Sequence, residues 1–362
     1  MAKIDLVEMH KRRDLRLVTR KKHPTLDLYI WNYTPECQYS RAWDEYTKMA
    51  RGLITDGEGN IVARPFSKFF NLNEAEETKI ENLPLEIPEI TEKVDGSLAI
   101  QYYDGGDRVC IATRGSFESE QAIFATDWLY RKGYVKNAFK EEYTYLWEII
   151  YPQNRIVVSY GDFSGLILLA VVEIETGKEI DHVQEAQILG VRSSQRINKT
   201  VDELVSICKD TSIKGTEMEG FVLKYSNGLR VKTKTEEYMR LHRMITHFSS
   251  KVIWEILAKG ETIAVYLEQV PDEFFQWAKE KERELKDNYA GVYATIILGY
   301  NDVKDLPTRK DQALRIMKDY KAVSGGIFSL LDDKQSNLND YIWKMIKPEY
   351  ELPFKDVNRE AE

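Results

Sequence analysis

The feature that most restricts this chain is a change of periodicity near Thr235. Before it, apolar residues come in short alternating runs cut by Gly, Asn and Asp, the pattern of antiparallel strands joined by tight turns. Strands are expected over 26–33, in a hairpin over 52–63 that turns at Asp56-Gly57-Glu58-Gly59-Asn60, and over 98–103 and 108–112 about Asp104-Gly105-Gly106-Asp107. Others are expected over 145–150, 156–160, 166–174, 220–225 and 229–233, the last two joined by Asn227-Gly228. Residues 119–131 carry a helical pattern. After Thr235 the apolar spacing becomes helical over 236–259, 272–300, 308–320 and 327–345, with Gly260, Pro271, Pro307 and Gly325-Gly326 as breaks. The expected fold class is therefore α+β: an antiparallel-sheet domain over residues 1–243, then an all-helical C-terminal domain over 244–362. A chain of 362 residues can bury a core in each part.

Composition narrows the class of partner. The formal charge of −8 argues against a general nucleic-acid coat protein, because phosphate binding needs positive surface. It leaves room for a local basic cleft on an otherwise acidic surface. No apolar run approaches the ~20 residues of a membrane-spanning helix, and residues 1–20 lack the apolar core and small-residue cleavage site of a secretory signal. Cys37, Cys110 and Cys208 lie far apart without metal-ligand spacing and suit a reducing compartment. None of the five histidines, His10, His23, His182, His242 and His247, falls in a metal or triad motif. Gly105-Gly106 lacks the spacing of a phosphate loop.

The chemistry-bearing signal is Glu92-Lys93-Val94-Asp95-Gly96-Ser97, between a proline-bearing linker and an apolar strand, where Lys93 reads as the start of that strand. Lys-x-Asp-Gly alone can be surface decoration; four further features accompany it. Glu148 interrupts the apolar strand 145–150, and acids are seldom buried unless paired, so it should face a polar cleft. Glu219-Gly220 precedes a buried-looking strand. Lys232 and Lys234 alternate onto one face of the strand across the Asn227-Gly228 turn. Arg114-Gly115 ends a strand with a cation and a flexible turn.

The order Lys-x-Asp-Gly, in-strand Glu, Glu-Gly, Lys-x-Lys resembles the covalent nucleotidyltransferases, the superfamily of ligases and RNA capping enzymes. Ala50-Arg51-Gly52-Leu53-Ile54, the run from Arg64 to Glu74, Ser119-Glu120-Gln121-Ala122 and Pro152-Gln153-Asn154-Arg155 narrow the likeness to the phage-type RNA ligase 1 family, over about residues 28–243. The resemblance implies an antiparallel-sheet nucleotidyltransferase domain, ATP-grasp-like, with a helical domain behind it that serves RNA specificity. It implies an ATP-dependent RNA ligase: ATP adenylylates Lys93, AMP passes to an RNA 5′-phosphate, and a 3′-hydroxyl displaces it. By the same resemblance Glu148 holds the ribose and helps bind metal, and Glu219 supports Mg²⁺ or Mn²⁺. Lys232 and Lys234 contact the α-phosphate, Arg51 and Lys68 the outer phosphates, and Arg114 serves ATP or the RNA phosphate. Leu169 and Val222 sandwich the adenine, though plain core positions are nearly as good a reading. The backbone of Glu92 reads the adenine edge.

Bringing a lysine amine from its ordinary value near about 10.4 to neutrality costs roughly 4.6 kcal/mol, so nearby cations or a metal have work to do. Asp95 and Gly96 are expected to shape the nucleophile turn, and Trp31 and Tyr33 to pack in the core rather than stack on a base. Residues 10–23 carry seven cations against Asp14, balanced between a solvated helix-to-strand segment and RNA contact. The family further implies RNA repair, with cleaved tRNA as substrate and a kinase-phosphatase as functional partner; the thiols and the missing secretory signal point to the cytoplasm, the host's if phage-encoded, and a monomer without a membrane span is expected. The competing readings are a DNA ligase or mRNA guanylyltransferase, which usually carry an OB-fold where this chain turns helical, and a non-catalytic RNA-end-binding protein.

Overall fold

Asp5 caps the first helix, α1 (Leu6–Asp14), by accepting from the N–H groups of Val7 and Glu8, and the basic segment then turns into β1 (Val18–Lys22). The computed structural model of the chain describes residues 2–247, 249–263, 272–334 and 337–350. β1 opens an antiparallel sheet that runs in chain order through β2 (Leu28–Tyr33), β3 (Arg51–Asp56) and β4 (Ile61–Ala63). Next come β5 (Phe70–Asn71) and β6 (Glu89–Lys93), which belong to a second sheet. The largest sheet takes β7 (Ser97–Tyr103), β8 (Val109–Thr113), β9 (Tyr143–Ile150), β10 (Gly165–Glu173), β11 (Glu179–Ile180) and β12 (Arg192–Ser193). The chain then returns to the second sheet as β13 (Gly220–Lys224) and β14 (Arg230–Lys234), giving the order β5-β14-β13-β6. All pairings are antiparallel except β10 with β12 and β14 with β5.

The alternation in β9 sets the layers. Tyr145, Trp147 and Ile149 face a core shared with Ala125 and Leu129 of the helix Glu120–Arg131. Leu146 faces the other way, packing with Leu98 and Ile100 against Ile30, Ile54 and Ala63 of the first sheet. Trp31 is fully buried with its indole N–H on Thr55 Oγ1 at 3.0 Å, so its place is the core.

Four expectations need correction. Lys93 ends strand β6 rather than starting one; Val94-Asp95-Gly96 is the passage from the second sheet to the largest. Residues 156–160 form no strand, because the N–H groups of Val157 and Val158 go to Asp95 Oδ2 at 2.9 and 2.8 Å instead of to a neighbouring strand. The helix expected over 236–259 is two, Glu236–His247 and Ser250–Ala258, the second capped by Ser249. Gly325-Gly326 lies inside a helix, Ser324–Leu331, and 327–345 is interrupted after it. Both glycines serve close packing: a Cβ would meet Tyr341 Cε2 at 2.7 Å from Gly325 and Ile296 Cδ1 at 2.5 Å from Gly326. Two short helices, His182–Leu189 and Val201–Lys209, add to those expected. Pro271 and the end of the expected C-terminal domain, beyond residue 350, lie outside the described residues.

Contacts divide the chain into two compact units, one running to Arg240 and one beginning at Leu241. The described elements wholly within the second unit are helices: Ser250–Ala258, Asp272–Val303, Arg309–Asp319, Ser324–Leu331 and Leu338–Met345, with one short 3-10 turn, around Ile296, Val303, Ile316, Ile327 and Ile342. Among the described residues no helix is long and apolar enough to cross a membrane.

Candidate active site

The second sheet places its charged residues by register. Lys93, Gly220 and Lys234 form one row across β6, β13 and β14, and Thr91, Val222 and Lys232 form the row two residues on. Residues two apart along a strand share a face, so all three lysines lie on one side. Phe221, Leu223 and Val231 take the other face and bury themselves with Leu204 and Cys208. The middle of the first row must be glycine, since a Cβ on Gly220 would lie 2.0 Å from Thr233 O. With no side chain between them, the two ammonium groups converge on Glu219, the residue before. Lys93 Nζ lies 2.9 Å from Glu219 Oε1 and Lys234 Nζ 3.4 Å from the same oxygen, with Glu219 only 3% exposed.

The largest sheet supplies the second carboxylate. Glu148 pairs laterally with Leu98 and Ile167 and shares the face of Leu146 and Ile150, where apolar neighbours surround it. Burial, reinforced by the charges of Glu219 and Asp95 and opposed by Lys93 and Arg51, pushes its carboxyl up to about 8. Lys232 moves the other way. Burial first, then Lys234, Lys93, Lys68 and Arg51, bring its ammonium down to about 7. Lys93 and Arg51 act on both Glu148 and Lys232, Glu219 on the first and Lys68 and Lys234 on the second, so these seven residues share one cleft.

Asp95 anchors the passage between the sheets. Its carboxylate accepts from Val157 N–H and Val158 N–H and, at 2.8 Å, from the Tyr238 hydroxyl, while its own N–H donates to Tyr160 Oη at 2.7 Å. Burial and then Glu219 raise its carboxyl to about 6. Sequence reasoning missed Tyr160 and Tyr238; neither stands in a motif, and only the fold brings them to Asp95. It also missed Trp43, which with Tyr33 and Phe70 surrounds the Lys68 ammonium, each ring centroid 5.3–5.5 Å away.

The remaining expected residues are placed as follows. Arg51 opens β3 with its guanidinium 5.6 Å from the Phe69 ring. Arg114 is buried and donates to the Tyr33 hydroxyl at 2.6 Å, a partner that holds it in place. Glu92 turns its side chain away from the lysine face: its carboxylate accepts from Gln195 N–H and its own N–H donates to Gln195 O at 2.9 Å. Its backbone donor is therefore engaged. Val222 and Leu169 are both half-buried, Leu169 standing at the irregularity where β10 slips its register against β9. Of the histidines, His182 bonds Ser194 and His23 bonds Tyr102 and accepts from the Leu26 N–H; the side chain of His247 lies outside the described residues. The three cysteines are free thiols.

Residues 49–238 match the profile of a family described as RNA ligase. The RNA ligase of Rhodothermus phage RM378 is 24% identical over a 390-residue alignment that covers 86% of either chain. A Thermovibrio ammonificans protein, described as an RNA ligase, is 29% identical over 209 residues, 54% of this chain and 53% of that one. Among solved structures, a protein from Aquifex aeolicus described as an ATP-dependent DNA ligase aligns at TM-score 0.45 and 13% identity, covering 94% of this chain and 77% of the other.

Proposed function

Since the chain belongs to the phage-type RNA ligase family, we propose that it is an ATP-dependent RNA ligase that seals 5′-phosphate to 3′-hydroxyl ends through lysyl-AMP on Lys93. The observation that carries the reading is the convergence of Lys93 and Lys234 on one buried carboxylate, Glu219, beside a second, Glu148. In the first step Lys93 gives up its ammonium proton to solvent, the neutral Nζ bonds to the α-phosphorus of ATP, the bond to the bridging oxygen breaks, pyrophosphate leaves, and the nitrogen sheds a second proton as the phosphoramidate forms. Lys232 and Lys234 steady the α-phosphate, and Arg51 and Lys68 the leaving pyrophosphate. The 5′-phosphate of RNA then takes AMP from Lys93, and a 3′-hydroxyl displaces it. Residues 1–243 carry this chemistry, and residues 244–362 choose the RNA.

The donor set suits a divalent ion shared with the nucleotide. A buried carboxyl pushed up to about 8 would be ionised by a nearby cation, and Glu219 offers a second oxygen donor. Among the described residues no group of three or more His, Cys, Asp or Glu forms a cage. Mg²⁺ commonly takes one or two carboxylates and completes its shell with water and substrate phosphates. Mg²⁺ or Mn²⁺, when bound, neutralises charge on the phosphates.

A DNA ligase or guanylyltransferase reading fits less well, because a helix rather than an OB-fold follows Lys234. The finer reading is repair of cleaved tRNA beside an end-healing kinase-phosphatase, by a monomer in the cytoplasm. The test is labelling with α-labelled ATP or GTP, followed by 5′-phosphorylated RNA or DNA. ATP should label the protein, Lys93→Ala should take up no label, and RNA should form adenylate and circles. Undiminished labelling of Lys93→Ala, or mass spectra without AMP at position 93, would overturn the assignment.

A further inference from the structure

A cavity of about 710 Å³ lies at the far end of the β13–β14 hairpin from Lys93 and Lys234, bordered by the Ser226-Asn227-Gly228 turn and the Thr176-Gly177-Lys178 turn. Lys224 pairs with Arg230 there, four residues along each strand from the Gly220–Lys234 pair. At about 3.3 Å per residue the separation from the nucleophile's row is about 13 Å.

The cavity is positive although the chain is acidic. Two of its cations are stapled to a wall: Arg230 reaches both oxygens of Glu179 at 2.9–3.0 Å, and Lys224 joins at 2.8 Å. Burial resists the charge on Glu179, but these cations overcome it and hold its carboxyl down to about 2. The Arg230 guanidinium also lies 4.3 Å from the Phe66 ring centroid. Three more, Arg64, Lys68 and Lys178, also line the cavity and make no ion pair within 4.0 Å among the described residues. Arg64 is half-buried with its Nε on Ile174 O at 2.7 Å, and burial lowers its pKa against the opposing charge of Glu175, which only partly offsets it, so its charge would gain from an anion. Phe66 and Phe69 add aromatic rings to the lining. Cations that track a backbone, with rings for bases, are the elements of single-strand recognition.

We propose that this cavity binds the phosphodiester backbone of the RNA strand several nucleotides from the reacting end. The proposal rests on the RNA ligase reading, and Lys68, which borders both places, marks the path from the site of chemistry into the cavity. About 13 Å corresponds to roughly four stacked nucleotides at ~3.4 Å each. RNAs shorter than that should not reach it.

Lys178 is the residue to change, because it is exposed at a turn and outside the adenylylation cleft. Binding of 5′-phosphorylated RNAs of two and of twelve nucleotides is measured by anisotropy across a salt series, on wild type, Lys178→Glu and Lys178→Arg. AMP labelling is scored in parallel. Lys178→Glu should label like wild type, keep its affinity for the dinucleotide, and lose roughly three- to tenfold for the 12-mer, with the log–log salt slope shallower by about 0.7 or more. Lys178→Arg should behave as wild type. Equal losses on both RNAs, no loss on the longer one, or wild-type affinity that ignores length would overturn the proposal. Absence of AMP labelling in wild type would instead overturn the ligase reading, and the length-dependent binding would still decide the cavity.

Discussion

Binding of ATP should draw a proton onto Lys232. Its ammonium lies near about 7 instead of 10.5, because the amine is buried among Lys234, Lys93, Lys68 and Arg51. Restoring the ordinary value would correspond to about 4.8 kcal/mol, a ceiling because the side chain as a whole is half-buried and solvent screens part of the effect. Triphosphate oxygens among those cations reverse the cause of the shift. If the bound value returns to 10.5, affinity for metal-free ATP falls nearly tenfold per pH unit above about 7, or about 70-fold from pH 7.5 to 9.5. Glu148 would also take up a proton beside an anion, so the experiment belongs in a Glu148→Gln background. Calorimetry at pH 8.5 in two buffers of different ionisation heat, with chelator present, should return close to one proton taken up per ATP. In Lys232→Met the uptake should vanish. Uptake near zero with Lys232 intact, or uptake that survives its removal, would refute the reasoning.

Two further outcomes test the site's geometry and charge. Glu148 binds its proton in the fold at pH values where the unfolded chain has released it, so its contribution to stability falls as pH rises from 4.5 through about 8. Glu148→Gln should therefore be about 1–3 kcal/mol more stable than wild type at pH 9 and equal to it at pH 4, read from urea unfolding; a variant less stable than wild type at pH 9 contradicts the assignment. Gly96→Ala should lose AMP labelling, because its Cβ would lie 2.5 Å from Ile149 O and 3.0 Å from Glu148 Cγ, whereas Gly106→Ala, with only Asp104 Oδ1 near at 3.4 Å, should label normally.

Much of the architecture could be read from local pattern, and the failures share a cause. β9 was legible because its two faces have different owners, and the alternation records both. Residues 156–160 carry as good a strand pattern, yet their backbone donors go to a carboxylate 62 residues earlier in the chain. A local pattern reports which residues suit a strand, not which partner claims the N–H groups. The helix Val201–Lys209 is a different case. Thr200 and Glu203 form a capping box, a signal present in the sequence that periodicity over so short a segment did not bring out.

The site shows the same boundary between identity and state. Motif order named Lys93, Glu148, Glu219, Lys232 and Lys234, and the fold gathers them because β6, β13 and β14 lie side by side, with Gly220 leaving its row open for two ammonium groups to reach one carboxylate. Protonation states could not follow from that order. The charges that lower Lys232 include Lys68 and Arg51, and those that raise Glu148 include Asp95, all brought near by strand crossings far apart in sequence. Each group is thereby held close to the pH at which its charge changes, opposite in sense to its usual form. A triphosphate arriving with a divalent ion would favour the charged form of both, so the two groups answer the ligand by ionising.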